Sequence, residues 1–163
     1  MFSFQPAPPA TDAAVSPSTA IRRGAKAVVT SGSGTLLVKE QHGNGRTFWT
    51  LPGGGIDPGE SPAAGLKREL REELRCDSVV GDAVSAFWYA HSSSAATVSR
   101  YVVFSAALLS PVRPVRGEGI LDAAWVEPAE LPPTVLPQVR RLVRQQHPST
   151  DARHRDVPDR LRG

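Results

Sequence analysis

Glu69, Glu72 and Glu73 crowd into the segment LPGGGIDPGESPAAGLKRELREELR, residues 51–75, directly behind the glycines Gly53, Gly54 and Gly55. Acids spaced i, i+3 and i+4 share one sector of a helix, where like charges repel. A divalent cation relieves that repulsion. Mg2+ suits such a set because it takes hard oxygen ligands, keeps several waters and bridges a few carboxylates to substrate phosphates. The same three acids are also compatible with a solvated helix face screened by Lys67, Arg68, Arg71 and Arg75. The glycines allow a carbonyl or amide to approach a metal or phosphate closely, or simply a tight turn between strand and helix.

The elements that must position these groups are legible around them. Ser61 can cap a helix and Pro62 suits its first turn, so the pattern predicts a helix from about 62 to 75. Leu66, Leu70 and Leu74 form its apolar stripe. Upstream, GAKAVVTSGSGTLLVKEQ reads as strand, Ser-Gly turn and strand, and RTFWTLPGG as a short strand ending in a glycine loop. Downstream, SVVGDAVSAFWYAH and TVSRYVVFSAALL read as strands joined by the polar SSSAA turn, followed by a strand in ILDAAWVEP. A second helix is predicted over LPQVRRLVRQQ, with Val139, Leu142 and Val143 on one face. Strands and helices interleave without regular alternation. The expected class is therefore α/β, a mixed sheet flanked by helices rather than a doubly wound one.

The spacing itself carries a resemblance. Gly54, then Glu60 six positions on, then Arg68-Glu69-Leu70-Arg71-Glu72-Glu73 resembles the Nudix box, G-x5-E-x7-R-E-U-x-E-E-x-G-U with U apolar. Neighbouring WTLPGG and DPGES are similar to that family as well. Arg75 departs from the pattern by standing where the final glycine belongs, a difference at the helix exit rather than among the acids. The resemblance extends over about residues 22 to 146. It implies a Nudix-like alpha/beta/alpha sandwich with a mixed sheet and Mg2+- or Mn2+-dependent hydrolysis of a nucleoside diphosphate linked to another group. Carried over by position, Glu69 and Glu73 are implied metal ligands, Glu72 a ligand or water-orienting base, the Gly53 carbonyl a further ligand, and Glu60 and Arg68 orienting partners.

Beyond the box, Glu118 stands between two glycines in RGEGILDAAWVEP, where similar proteins place an additional ligand or general base; Asp122 is its rival. Phe48, Trp49, Phe87, Trp88, Tyr89 and His91 offer candidate faces for a base, Trp49, Trp88 and His91 foremost. Arg46 and Arg100 are candidate phosphate contacts, each also readable as an ordinary surface arginine.

Composition bounds the rest. The 163 residues accommodate one domain, expected over 21–146, with a Pro-, Ala- and Ser-rich tail over 1–20 expected to be disordered and a basic, flexible tail over 147–163. Residues 140–163 carry seven Arg against three Asp, which is +4 of the overall +3 and leaves the body at −1. Nucleic-acid binding by the body is not expected. No apolar run of the ~20 residues a bilayer requires is present, and the start lacks the features of a secretory signal. The single cysteine, Cys76, reads as a small buried residue in a reducing, cytoplasmic setting. The resemblance implies a nucleotide-type substrate such as ADP-ribose, a nucleotide sugar or a nucleoside triphosphate, and a homodimeric assembly. A damaged-nucleotide triphosphatase, an RNA 5′-end pyrophosphohydrolase and a non-catalytic nucleotide-sensing module are the alternatives.

Overall fold

The computed structural model describes residues 20–91 and 97–147. The expectations for the SSSAA turn, and for the two tails apart from Ala20 and His147, fall outside these residues. In chain order the elements are β1 (Ala20–Val28), β2 (Thr30–Ser31), β3 (Gly34–Gln41), β4 (Thr47–Thr50), β5 (Gly53–Gly55), α1 (Pro62–Leu74), β6 (Ser78–Ala90), β7 (Thr97–Leu108), β8 (Ile120–Val126) and α2 (Pro137–Gln146).

The strands form two sheets. One runs β5-β1-β7-β6 and is mixed, because β1 pairs parallel with β7 while β5 and β6 are antiparallel to their neighbours. The other gathers β2, β4 and β8 on β3, all antiparallel. Alternation along the strands divides the core. Ala27 and Leu36 pack with Leu66, Leu70 and Leu74 of α1, whereas the adjacent Val28 and Leu37 pack with Val139, Leu142 and Val143 of α2. The helices thus cover opposite sides of the strands, giving a three-layer mixed α/β fold. Each of the three α1 leucines is fully buried, which stabilises its docking by roughly 1.5–3 kcal/mol. Among the described residues no helix is long and apolar enough to cross a membrane.

Two local results bear on the site. The glycine stretch expected as a loop is a strand, β5, with Gly55, Gly54 and Gly53 opposite Gly24, Ala25 and Lys26 of β1. Gly53 has φ +127°, and a Cβ there would run into the carbonyl oxygen of Ala25, so only glycine fits. At the helix ends, Ser61 Oγ accepts from Ala64 N–H at 3.2 Å, as its position predicts. Arg75 ends α1 in the left-handed conformation, φ 52° and ψ 35°, its N–H donating to the Arg71 carbonyl at 3.0 Å. The helix therefore closes as a glycine would close it, at a cost of about 1–2 kcal/mol for a residue with a Cβ.

Candidate active site

Arg68 lies at the centre of the acidic face. Its Nε and Nη2 donate to Glu60 at 2.9 and 3.0 Å, Nη2 also donates to the Gly55 carbonyl at 2.9 Å, and Nη1 donates to both Glu69 and Glu72 at 3.1 Å. One guanidinium thus ties the glycine strand, the loop after it and two helix carboxylates into fixed relative positions. Hydrogen bonding from Arg68 holds the Glu60 carboxyl below its usual range. Glu60 Oε1 also accepts from Asp57 N–H at 3.0 Å, which anchors the loop.

Glu73 sits deeper. It is 7% exposed and accepts the Gly53 N–H on Oε2 at 3.0 Å. Burial pushes its carboxyl up to about 8, against the opposing pull of Lys26. Glu69, also raised by burial, lies against Gly54, where a Cβ would stand 2.6 Å from its carboxyl carbon. Glu118 reaches the same region on a short 3-10 turn, Arg116–Glu118. Its loop is strapped to the end of α1, with Arg113 N–H donating to the Leu74 carbonyl at 2.9 Å and Val115 N–H to the Glu73 carbonyl at 2.8 Å.

Of these groups, Gly53, Gly54, Glu73 and Glu118 line a cavity of about 200 Å³ together with Glu40 and Lys26, whereas Glu60, Arg68, Glu69 and Glu72 are not in its lining. A second cavity of about 190 Å³ adjoins it and shares Lys26, Glu40, Gln41 and Tyr101, with His42, Phe48 and Tyr89 among its further walls. A larger cavity, about 770 Å³ beside Val29, Leu108 and Trp125, has no titratable side chain in its lining and lies apart from this chemistry.

The sequence profile of the NUDIX domain matches residues 20–146. The chain belongs to the NUDIX family. This NUDIX domain is similar in fold to a MutT NUDIX hydrolase from Burkholderia pseudomallei, with a TM-score of 0.69 and 22% identity over 77% of this chain and 98% of that one. In sequence it is 33% identical over 92 residues to the nucleoside triphosphatase NudI of Escherichia coli, which is 51% of this chain and 64% of that protein. To the RNA pyrophosphohydrolase of Rickettsia conorii it is 31% identical over 70 residues, 43% of this chain and 44% of that protein. The matched region is less than two thirds of the length of either relative.

The helix carboxylates and the Gly53 carbonyl of this NUDIX domain are oxygen donors, the kind a hard cation takes. Among the described residues no three His, Cys, Asp or Glu side chains converge as a ready-made metal cluster. Cationic side chains occupy the key oxygens instead. Arg68 Nη1 bridges Glu69 and Glu72, and Lys26 Nζ donates to the Gly53 carbonyl at 2.7 Å. Mg2+ asks for few protein oxygens and keeps its own waters, so Gly53, Glu69, Glu72, Glu73 and Glu118 are the residues that could hold it.

Of the other candidates in this NUDIX domain, His91 lies on the second cavity, with Nε2 2.7 Å from Ser99 Oγ. Trp49 is turned the other way and packs on the α2 side of the core. Trp88 is 53% exposed, Arg46 is exposed in the hairpin after β3, and Asp122 bonds its own neighbour Ala123; none of the four lines either cavity. Of the aromatic candidates, Phe48, Phe87, Tyr89 and His91 line the second cavity.

Lys26 is the residue that sequence reasoning missed. It is 4% exposed, pairs with Glu40 at 3.5 Å and lies 5.0 Å over the Tyr101 ring. Burial works against its charge, yet Glu40 and Tyr101 outweigh it and raise its pKa. The available signal was a lysine flanked by alanines and valines inside an otherwise apolar strand, GAKAVV.

Proposed function

We propose that this NUDIX domain hydrolyses the diphosphate linkage of a nucleoside diphosphate derivative, ADP-ribose, a nucleotide sugar or a nucleoside triphosphate, with Mg2+ or Mn2+ as cofactor. The observation that carries the reading is one cavity walled by Gly53, Gly54, buried Glu73 and Glu118, beside a helix face whose other two acids are held by Arg68. The names of the nucleoside triphosphatase and RNA pyrophosphohydrolase relatives support phosphoanhydride chemistry in general.

The protein's part is positioning. Arg68 fixes Glu69 and Glu72, the Gly53 N–H fixes Glu73, and Lys26 fixes the Gly53 carbonyl. When bound, a divalent cation supplies charge neutralisation of the diphosphate and activation of the attacking water. Glu118, which lines the cavity from a short 3-10 turn, is the first candidate to accept the proton of that water, with Glu72 as the second candidate base.

The test is a panel of diphosphate-linked nucleotides with Mg2+, product identification, and the variant Glu73→Gln. Turnover of at least one compound, lowered about 10²-fold or more in the variant, is expected. Equal turnover by both proteins would reject the assignment.

A further inference from the structure

We infer that the open end of the four-stranded sheet is a docking face for single-stranded nucleic acid, with a base stacked on Trp88 and the phosphates held by Arg23 and Arg100. The face follows from strand register. Arg23 of β1 pairs with Arg100 of β7, and Arg100 pairs with Trp88 of β6, so the three side chains stand side by side on one surface, about 4.8 Å apart from strand to strand. The row before it is apolar, with Ile21, Val98 and Ala90 in register. Farther along the same surface Ala25 and Ala27 are covered by α1, but this end is bare. Arg23 and Arg100 are exposed, Trp88 is 53% exposed and Ile21 63%. Tyr101 and Phe87, each one residue away, face the opposite surface and line the second cavity, so the row lies on the reverse of the sheet from the candidate active site.

The charges decide what is bound. Like charges directly opposite one another in a sheet are unfavourable, and among the described residues neither arginine has an acidic partner. A phosphodiester between the two guanidiniums turns that repulsion into attraction. Beside the pair, an indole standing clear of the sheet offers its face to any base. The edge strand is held in place there, since Gln138 Nε2 of α2 donates to the Trp88 carbonyl at 2.9 Å. Other occupants fit less well. A second copy docked on a two-fold axis sets the same face against itself and brings four guanidiniums together, with no acid in the row to meet them. A duplex keeps its base faces stacked inside, and an acidic peptide leaves the indole without a flat partner. A lone nucleotide needs enclosure, and none of the three residues lines either cavity of the site or the larger one. The slightly acidic body conceals the face, because net charge averages over all surfaces.

The test is fluorescence anisotropy of a labelled uridine oligoribonucleotide of about 12 nucleotides, titrated with the full chain in EDTA so that binding is read apart from hydrolysis. The same strand in a duplex, UMP and polyglutamate serve as competitors. Wild type is compared with the double variant Arg23→Gln, Arg100→Gln, with Trp88→Ala and Trp88→Phe, and with a tail control carrying Arg153→Gln, Arg155→Gln, Arg160→Gln and Arg162→Gln. Melting temperature and sedimentation are recorded for each. Wild type should bind the single strand ahead of all three competitors. The double arginine variant should bind about tenfold more weakly, flatten the slope of log affinity against log salt by about 1.4, and melt at or above wild type because the like-charge pair is gone. Trp88→Ala should also weaken binding about tenfold, with the salt slope unchanged, and Trp88→Phe should recover most of the loss. The tail control should still bind the strand. The inference is overturned if wild type leaves the strand free, if any competitor is as effective as the strand, if the double arginine variant or Trp88→Ala binds as wild type does, or if the tail control abolishes binding. A wild-type dimer that Trp88→Ala dissociates would give the face to a second copy and overturn it as well.

Discussion

The backbone N–H of Gly53 donates to Glu73 Oε2 at 3.0 Å across twenty residues of sequence, joining the glycine strand to the acidic helix at the floor of the site. The glycine is required there for two reasons at once, its φ of +127° and the Ala25 carbonyl that a side chain would strike. Gly53→Ala is expected to cost about 2 kcal/mol or more in urea denaturation. Gly55→Ala meets open space and is expected to stay within about 0.5 kcal/mol of wild type, which makes it the matched control.

Burial of Glu73 also sets a pH dependence. Its carboxyl is raised from 4.5 to about 8, so between those values the folded chain holds a proton that the unfolded chain has released. The stabilising contribution is complete below about 4.5 and is lost as pH climbs through about 8. Glu69 is shifted in the same direction by its own burial. Thermal melts of the metal-free protein from pH 5 to pH 8.5 should fall with rising pH, and Glu73→Gln should flatten much of that slope.

Arg68 holds Glu60, Glu69, Glu72 and the Gly55 carbonyl together. Arg68→Lys retains the charge and loses the planar fork. It is expected to weaken Mg2+ or Mn2+ binding by about 10–100-fold, the usual scale for removing an orienting partner, as measured by calorimetry.

Arg75→Gly is expected to raise stability by about 1 kcal/mol, because Arg75 sits at φ 52° where glycine is unstrained. Its side chain is exposed, so little packing is lost. A higher urea midpoint with unchanged slope is the expected signature.

The sequence made most of this architecture readable because its signals are local. Ser61 and Pro62 start α1, the Leu66, Leu70 and Leu74 stripe buries it, and the offsets from Gly54 to Glu73 place the acids on one helix behind the glycines. What escaped depends on pairing. The parity of Phe48 against Trp49 is invisible until β4 has a register with β3, and the register puts Phe48 rather than Trp49 on the second cavity. The glycines became a strand only because β1 offers them an edge, at the register Gly24 to Gly55. Lys26 has no local signal of what buries it; its partners Glu40 and the Gly53 carbonyl come from 14 and 27 residues away.

The most direct test is a Mn2+ titration followed by electron paramagnetic resonance, comparing wild type with Glu69→Gln and Glu73→Gln in the presence of a non-hydrolysable nucleoside diphosphate analogue. Wild type should remove free Mn2+ signal stoichiometrically, and each variant should do so at least about tenfold more weakly. Wild-type protein that leaves the Mn2+ signal unchanged, or variants that bind as it does, would contradict a cation site on the acidic helix.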